Sequence, residues 1–451
     1  MPSEEDGRVS SRPTPELPQA HGGLSMSKSR PLIKSEAGKR ARIFVLVFCL
    51  LFHGRALADE LILDSLVREA IERSPEILSA RARALAAHHK VPQARSLPDP
   101  MFMTGYQNEG WKKYTYGEMP DAQWMFSASQ MIPFPGKLDL KGQMAQKEAQ
   151  ALEANVEQTK LQVILRVKEL FYELFLAHKT LEILSRVRSL FQRVEEAALA
   201  RYGAGKAEQQ EVLMAQTERY MLLEKEEMQR QKILSLEAML NAAVGRSAQS
   251  PLGKPKVPDP KPLSIGVEDL LKMAYERSPQ LKAKEKMIEA AQSKVSMAKK
   301  EFFPDLTLSA TYFARGGGQF EDMWSLTATV NVPIFFAMKQ KEGVEEARAS
   351  LAEAHHELGA TKLMLEAAVR ENFSMVQAAD NLMALYRGAI IPKNYQDFEL
   401  ALSGYITGRI EAITVISRLK AFLETELLYW VQFTQREKAI AKLETLAGGW
   451  E

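Results

Sequence analysis

The chain has 451 residues, 46% of them hydrophobic, and carries 59 Lys and Arg against 57 Asp and Glu. That balance offers no basic surface for nucleic acid, and the single cysteine, Cys49, allows neither a disulfide nor a thiolate metal site. No later apolar run reaches the roughly 18 residues that a membrane-crossing helix needs, so helices are not expected to cross a bilayer.

Residues 1–25 are rich in Pro and Ser, which predicts disorder, and Met26 is an alternative start. Lys39, Arg40 and Arg42 then precede an apolar run over residues 43–52, and Ala56-Leu57-Ala58 supplies a small-x-small cleavage site. Together they predict a disordered leader and secretory signal over residues 1–58, with a mature chain starting near Asp59. Removing that leader takes away 9 Lys/Arg and 5 Asp/Glu, leaving 50 against 52. Cys49 lies in the apolar run, and Asp59 would follow the cleavage point where a lipoprotein needs cysteine, so acyl anchoring is not expected.

Beyond residue 58 the chain repeats itself. Glu72-Arg73-Ser74-Pro75 recurs as Glu276-Arg277-Ser278-Pro279, Leu97-Pro98-Asp99 as Phe303-Pro304-Asp305, and Tyr202-Gly203-Ala204-Gly205-Lys206 as Tyr405-Ile406-Thr407-Gly408-Arg409, at offsets of 200–206. A first repeat over residues 59–246 and a second over 267–451 flank a Pro- and Lys-rich connector, 247–266, expected to be extended and hydrated.

Each copy predicts the same elements in the same order. A Ser-Pro N-cap (Ser74-Pro75, Ser278-Pro279) opens a helix of about 22 residues. Two strands follow, over residues 101–106 and 124–132 and again over 306–313 and 324–332, joined by loops carrying Asn108-Glu109-Gly110 and Gly316-Gly317-Gly318. In the last strand Trp324, Leu326, Ala328, Val330 and Val332 fall on one face and Ser325, Thr327, Thr329 and Asn331 on the other, the alternation of a strand with lipid on one side and a polar lumen on the other. Trp124, Phe126 and Trp324 are the candidate membrane-facing aromatics. A long helix comes next, 138–201 and 341–403, then a tight Tyr-x-x-Gly reversal and a return helix of about 37 residues. The two shorter helices together match the long one, so they can stack end to end along it. Val163, Val167, Leu170, Leu174, Ala177, Leu181 and Leu184 form a coiled-coil seam, resumed at Val187, Phe191, Val194 and Ala198. Ile164, Phe171 and Phe175 make a second apolar stripe, which calls for a second neighbour.

Four strands cannot close a barrel, and an open sheet in lipid leaves backbone groups unpaired at both edges, so several chains must pool their strands.

In its signal, tandem repeat, two strands and giant hairpin per copy, with Tyr-x-x-Gly at both tips, the chain resembles the TolC family of outer-membrane efflux proteins. Two further motifs carry the resemblance: Gln130-x-Ile132-Pro133-x-x-Gly136-Lys137, and Glu211-Val212-Leu213-x-Ala215-Gln216. It covers essentially all of residues 59–451. The family implies a mainly α chain with a membrane β-barrel portion, assembled as a homotrimer with a twelve-strand barrel and an α-helical tunnel crossing the periplasm. It also implies a periplasmic adaptor protein and an inner-membrane pump as partners, outer-membrane lipid around the strands, no cofactor and no enzymatic activity. Pro133-Phe134-Pro135-Gly136-Lys137 is similar to the branch serving heavy-metal pumps of the resistance-nodulation-division type.

The family places adaptor contact and closure at the periplasmic tips, here Tyr202, Gly205, Lys206, Tyr405, Gly408 and Arg409. Thr414 and Ser417 stand near positions where some members carry lumen aspartates, which leaves Glu411 as the nearest candidate gate acid. Inter-helix polar contacts would hold the tips shut, and adaptor docking would favour the open arrangement. Met101, Met103, Met119, Met125, Met131 and Met144 suit packing better than soft-metal ligation, and His88-His89, His178 and His355-His356 lack helical metal-site spacing. Gly203-Ala204-Gly205-Lys206 fails as a phosphate loop because Ala200 and Ala207 replace its outer residues. No paired acids or nucleophile–base set appears. The expectation is a passive outer-membrane duct for metal cations or small toxic compounds. The alternatives are an exit duct for type I protein secretion and, from another class, a soluble periplasmic coiled-coil scaffold.

Overall fold

The first helix of each copy bends at a proline. In this computed structural model, which describes residues 60–256, 260, 262–316 and 318–449, helix α1 (Leu63–Arg73) and α2 (Pro75–Arg95) meet at Ser74, and α5 (Val267–Arg277) and α6 (Pro279–Lys300) meet at Ser278. The residue before a proline is pushed out of the helical region, and Ser74 (ψ 124°) and Ser278 (ψ 118°) are indeed extended. Both serines take the expected N-cap position, their carbonyls accepting the first bonds of the following helices (Leu78 N–H to Ser74, 3.1 Å; Lys282 N–H to Ser278, 3.2 Å), but neither buried side chain makes a cap bond, and their own N–H groups donate to the Ala70 and Ala274 carbonyls at 3.0 and 3.1 Å. The sequence reading missed α1 and α5, whose Leu66, Ala70, Leu270 and Ala274 are buried. The signal motif, its Ala56-Leu57-Ala58 site and Cys49 lie outside the described residues.

Helix α3 (Lys137–Gly203) runs 67 residues, about 100 Å at 1.5 Å each. Helices α1, α2 and α4 (Gln209–Val244), of 11, 21 and 36 residues, lie along it. Of the seam, Val163, Val167, Leu174, Ala177, Leu184, Val187, Phe191, Val194 and Ala198 are buried, with Leu170 and Leu181 partly so. The second stripe meets its second neighbour where Phe175 packs on Trp430 and Phe433 of α9 (Ala412–Leu446).

The second long helix is not continuous. Helix α7 (Gln340–Leu385) passes through a π-helical turn, Tyr386–Ile390, into α8 (Ile391–Ile406). Pro392 explains it: proline has no N–H to offer the carbonyl four residues back, at Gly388, and its ring crowds that group, which a wider turn accommodates.

The four strands, β1 (Met101–Gln107), β2 (Gln123–Ile132), β3 (Leu306–Ala314) and β4 (Met323–Val330), form one antiparallel sheet in the order β1-β2-β3-β4. Strand β4 ends two residues earlier than expected. Register aligns Tyr106 with Trp124 and carries Phe126 across Tyr312 to Trp324, so aromatics cluster on one face near the loop end. The opposite face is rich in Ser and Thr, with the Thr311 hydroxyl donating to Ser127 at 3.0 Å. Among the described residues, the outer edges of β1 and β4 are unpaired.

Where β2 enters α3, Lys137 is buried and its ammonium donates to Asp305 (2.9 Å) and the Phe303 carbonyl (3.1 Å), with Glu301 at 3.4 Å. The Phe134 N–H donates to Asp305 at 2.7 Å, and the Phe134 and Phe303 rings stack at 4.5 Å. This junction fastens the first copy to the second. The described part of the connector is also less hydrated than expected: Leu61 bridges Pro255, and Leu252, Leu263 and Ile265 pack on the helical cores.

Burial raises the Asp305 carboxyl, but the Lys137 ammonium and the Phe134 N–H outweigh it and hold the group below its usual range. A lowered folded pKa means that the stabilisation is complete above the unfolded value, about pH 4, and is lost as pH falls through the folded one. Thermal melts in detergent should therefore show an acid-dependent loss of stability that Asp305→Asn reduces. Lys137→Met, which strands a largely buried carboxylate, should cost about 3 kcal/mol.

Candidate functional site at the helical tips

Both hairpin tips are closed by the same backbone device. At the end of α3, Gly205 takes φ 69°, the Lys206 N–H donates to the Arg201 carbonyl (2.8 Å) and the Gly205 N–H to that of Tyr202 (2.9 Å). At the end of α8, Gly408 takes φ 80°, with Arg409 N–H to Gly404 O and Gly408 N–H to Tyr405 O, both at 2.9 Å. The paired bonds and left-handed glycine are the Schellman arrangement, which satisfies the last carbonyls of a helix while turning the chain.

The side chains depart from this symmetry. Tyr405 is fully buried, and its hydroxyl donates to Glu211 at 2.6 Å. Arg201 lies over the Tyr405 ring, 4.5 Å from its centre, donates to the Tyr405 carbonyl, and reaches the Lys206 carbonyl at 2.9 Å. One residue of the second copy is thus clasped by two charged residues of the first. Burial and the Glu211 charge push the Tyr405 phenol well above its ordinary pKa, so it remains a donor at any physiological pH. Tyr202, its repeat counterpart, is exposed.

Of the tip residues expected from sequence, Tyr405 and Gly408 stand at this clasp, while Lys206 contributes its carbonyl to it. The side chains of Lys206, Arg409 and Glu411 are exposed, and Glu411 stands as the residue just before α9. Sequence reading missed the roles of Arg201 and Glu211. The signal was available in the repeat: at an offset of 203, Gly404 stands where Arg201 does and Thr414 where Glu211 does, so one copy has charges that the other lacks. Behind the tips, Arg193 forks onto Glu399 (2.9 and 3.2 Å) and Lys420 meets Glu218 at 2.8 Å, again joining the two copies.

At the other end, Trp124, Phe126 and Trp324 are all exposed on the aromatic face of the sheet. No helix among the described residues is long and apolar enough to cross a membrane. His88 bonds Glu153 at 2.6 Å, and among the described residues no cluster of three or more His, Cys, Asp or Glu is placed to hold a metal ion.

The sequence profile described as outer membrane efflux protein matches residues 66–246 and 270–449. The outer membrane protein OprJ of Pseudomonas aeruginosa is 26% identical over 187 residues, an alignment spanning 39% of this chain and only 38% of that protein. The fold is shared with the outer membrane protein VceC of Vibrio cholerae (TM-score 0.72, 20% identity, 86% of this chain and 96% of that one). It is shared also with the Campylobacter jejuni CmeC outer membrane channel (TM-score 0.70, 15% identity, 97% and 94%).

Tyr405→Phe removes the bond to Glu211 and should destabilise the tip by about 1–2 kcal/mol, read as faster amide hydrogen exchange across residues 404–410. Tyr202→Phe, at an exposed position, should change the same readout by less than about 0.5 kcal/mol.

Proposed function

The chain belongs to the outer membrane efflux protein family, and on that basis we propose that it is the outer-membrane exit duct of a tripartite efflux assembly. Three copies pool their sheets into a twelve-strand barrel, and their long helices continue it as a periplasmic tunnel. The observation that carries this reading is the four-stranded sheet with one aromatic, apolar face and two unpaired edges, set on a 67-residue helix. In hydrocarbon, unpaired backbone is too costly to leave open, and a closed ring of strands removes it.

Residues 59–246 and 267–451 act as the two repeats of the duct, joined by 247–266. The tips, with Tyr202, Gly205, Lys206, Tyr405, Gly408 and Arg409, meet a periplasmic adaptor protein that links the duct to an inner-membrane pump. Arg201 and Glu211 hold Tyr405 and keep the periplasmic end narrow until the adaptor favours the open form. Glu411, exposed beside the second tip, is the nearest acid for a cation-attracting ring. Trp124, Phe126 and Trp324 face lipid. Metal cations or small toxic compounds are the proposed cargo, on the likeness of residues 133–137 to the heavy-metal branch. The duct itself performs no catalysis, and substrate choice rests with the pump.

Detergent-extracted membranes should yield a heat-modifiable trimer by gel and light scattering, and Arg201→Ala should raise its conductance in planar bilayers. A monomer released without detergent would overturn the duct and favour a soluble scaffold.

A further inference from the structure

We propose that the junction Phe134 and Lys137 form inside the chain is repeated between chains, with Phe335, Phe336 and Lys339 of one copy docking on Leu97 and Asp99 of a second copy. The inference rests on the shared-barrel reading and gives it a specific contact.

Within the chain, the plug is Phe134 and Lys137, from the first repeat, and the socket is Phe303 and Asp305, from the second. The sequence repeat supplies both parts once more. Leu97-Pro98-Asp99 corresponds to Phe303-Pro304-Asp305, and past the matched Pro133 and Pro333 the second copy reads Ile334-Phe335-Phe336-Ala337-Met338-Lys339. Lys339 lies 202 residues after Lys137, inside the 200–206 drift of the repeat.

The spare parts are only partly used: the Phe336 ring lies 6.5 Å from Phe302 of its own copy, and Lys339 borders the cleft lined by Lys137, Glu301 and Asp305 without forming an ion pair among the described residues. Leu97 and Asp99 are exposed, and among the described residues Asp99 has no ion pair or side-chain hydrogen bond. Phe335 is 65% and Phe336 54% exposed, an unusual cost for large apolar side chains to bear in water, and Lys339 has no carboxylate partner among the described residues.

Position makes the spare parts complementary. The socket leads directly into β1 and the plug follows β4, and these are the two unpaired edges of the sheet. The helices show the same vacancy. Helix α3 packs on α2 and α4 of its own copy and on α6 and α9 of the other, whereas α7 packs chiefly on α5, α6 and α9 of its own copy, and among the described residues only Met383, near its end, joins the core of the first copy. Leu363 and Met364 on α7, and Leu78 and Leu85 on α2, are correspondingly exposed. A second copy placed edge to edge fills sheet, plug and helix positions together. Arg95 takes the place of Glu301 in the intermolecular socket, so it holds one carboxylate, Asp99, in place of two.

The test uses the full chain in a Cys49→Ser background. Asp99→Cys with Lys339→Cys, treated in membranes with a short bifunctional thiol cross-linker, should give covalent dimer and trimer bands and none beyond; each single-cysteine variant should stay monomeric on the gel. Asp99→Lys or Lys339→Glu alone should lower the oligomer fraction, by about threefold per interface for an exposed pair, and the double reversal should restore it. A wild-type chain that is monomeric in mild detergent would overturn the shared barrel itself. An intact wild-type trimer whose double-cysteine variant gives no cross-link, and whose double reversal gives no rescue, would overturn this junction while leaving the barrel standing.

Discussion

Everything in this fold follows from a sheet that cannot be finished by one chain. Four antiparallel strands with an aromatic face leave the outer N–H and C=O groups of β1 and β4 without partners. Water can satisfy such groups; hydrocarbon cannot. A chain of this family therefore carries its incompleteness as a specification, because the surface left open at one edge must match the surface left open at the other. The internal repeat makes that match economical, since contacts tested within the chain serve as templates for contacts between chains.

The junction at Lys137 shows why the barrel and the helices behave as one piece. A buried ammonium held by a carboxylate, a backbone carbonyl and a neighbouring acid is expensive to desolvate, and it persists because the geometry satisfies it on several sides. Its two halves come from different repeats, so the strand-to-helix turn of the first copy cannot move without moving the second. Along the helices, Arg193 with Glu399 and Lys420 with Glu218 extend the same cross-copy fastening toward the tips.

Much of this was legible in the residues. The alternation at Trp324, Leu326, Ala328 and Val330 and the steps of four and three from Val163 to Leu184 encode strand and coiled coil because side-chain direction is fixed by backbone period. The reversals at Gly205 and Gly408 were legible because few residues tolerate the left-handed conformation. What escaped was non-local or competitive. Ser74 is the N-cap that local preference reads, yet that preference says nothing of the helix that runs up to it and takes its N–H at Ala70. Pro392 sits in an otherwise regular helical pattern whose periodicity hid the π turn. Arg201 and Glu211 look like ordinary surface charges until Tyr405, about 200 residues away, is placed between them.

The uneven tips bear on how a trimeric duct of this kind would open. Six hairpin ends would surround the pore in alternation, and within each chain Arg201 and Glu211 grip Tyr405. Across a boundary between chains the equivalent places would hold Gly404 and Thr414, with Tyr202, exposed within one chain, opposite them. With the clasp closed each chain would move as a single leaf and leave only three slits at the chain boundaries, so full dilation would also require Tyr405 to leave Arg201 and Glu211. Such an iris has threefold symmetry in motion even where its backbone approximates sixfold symmetry at rest.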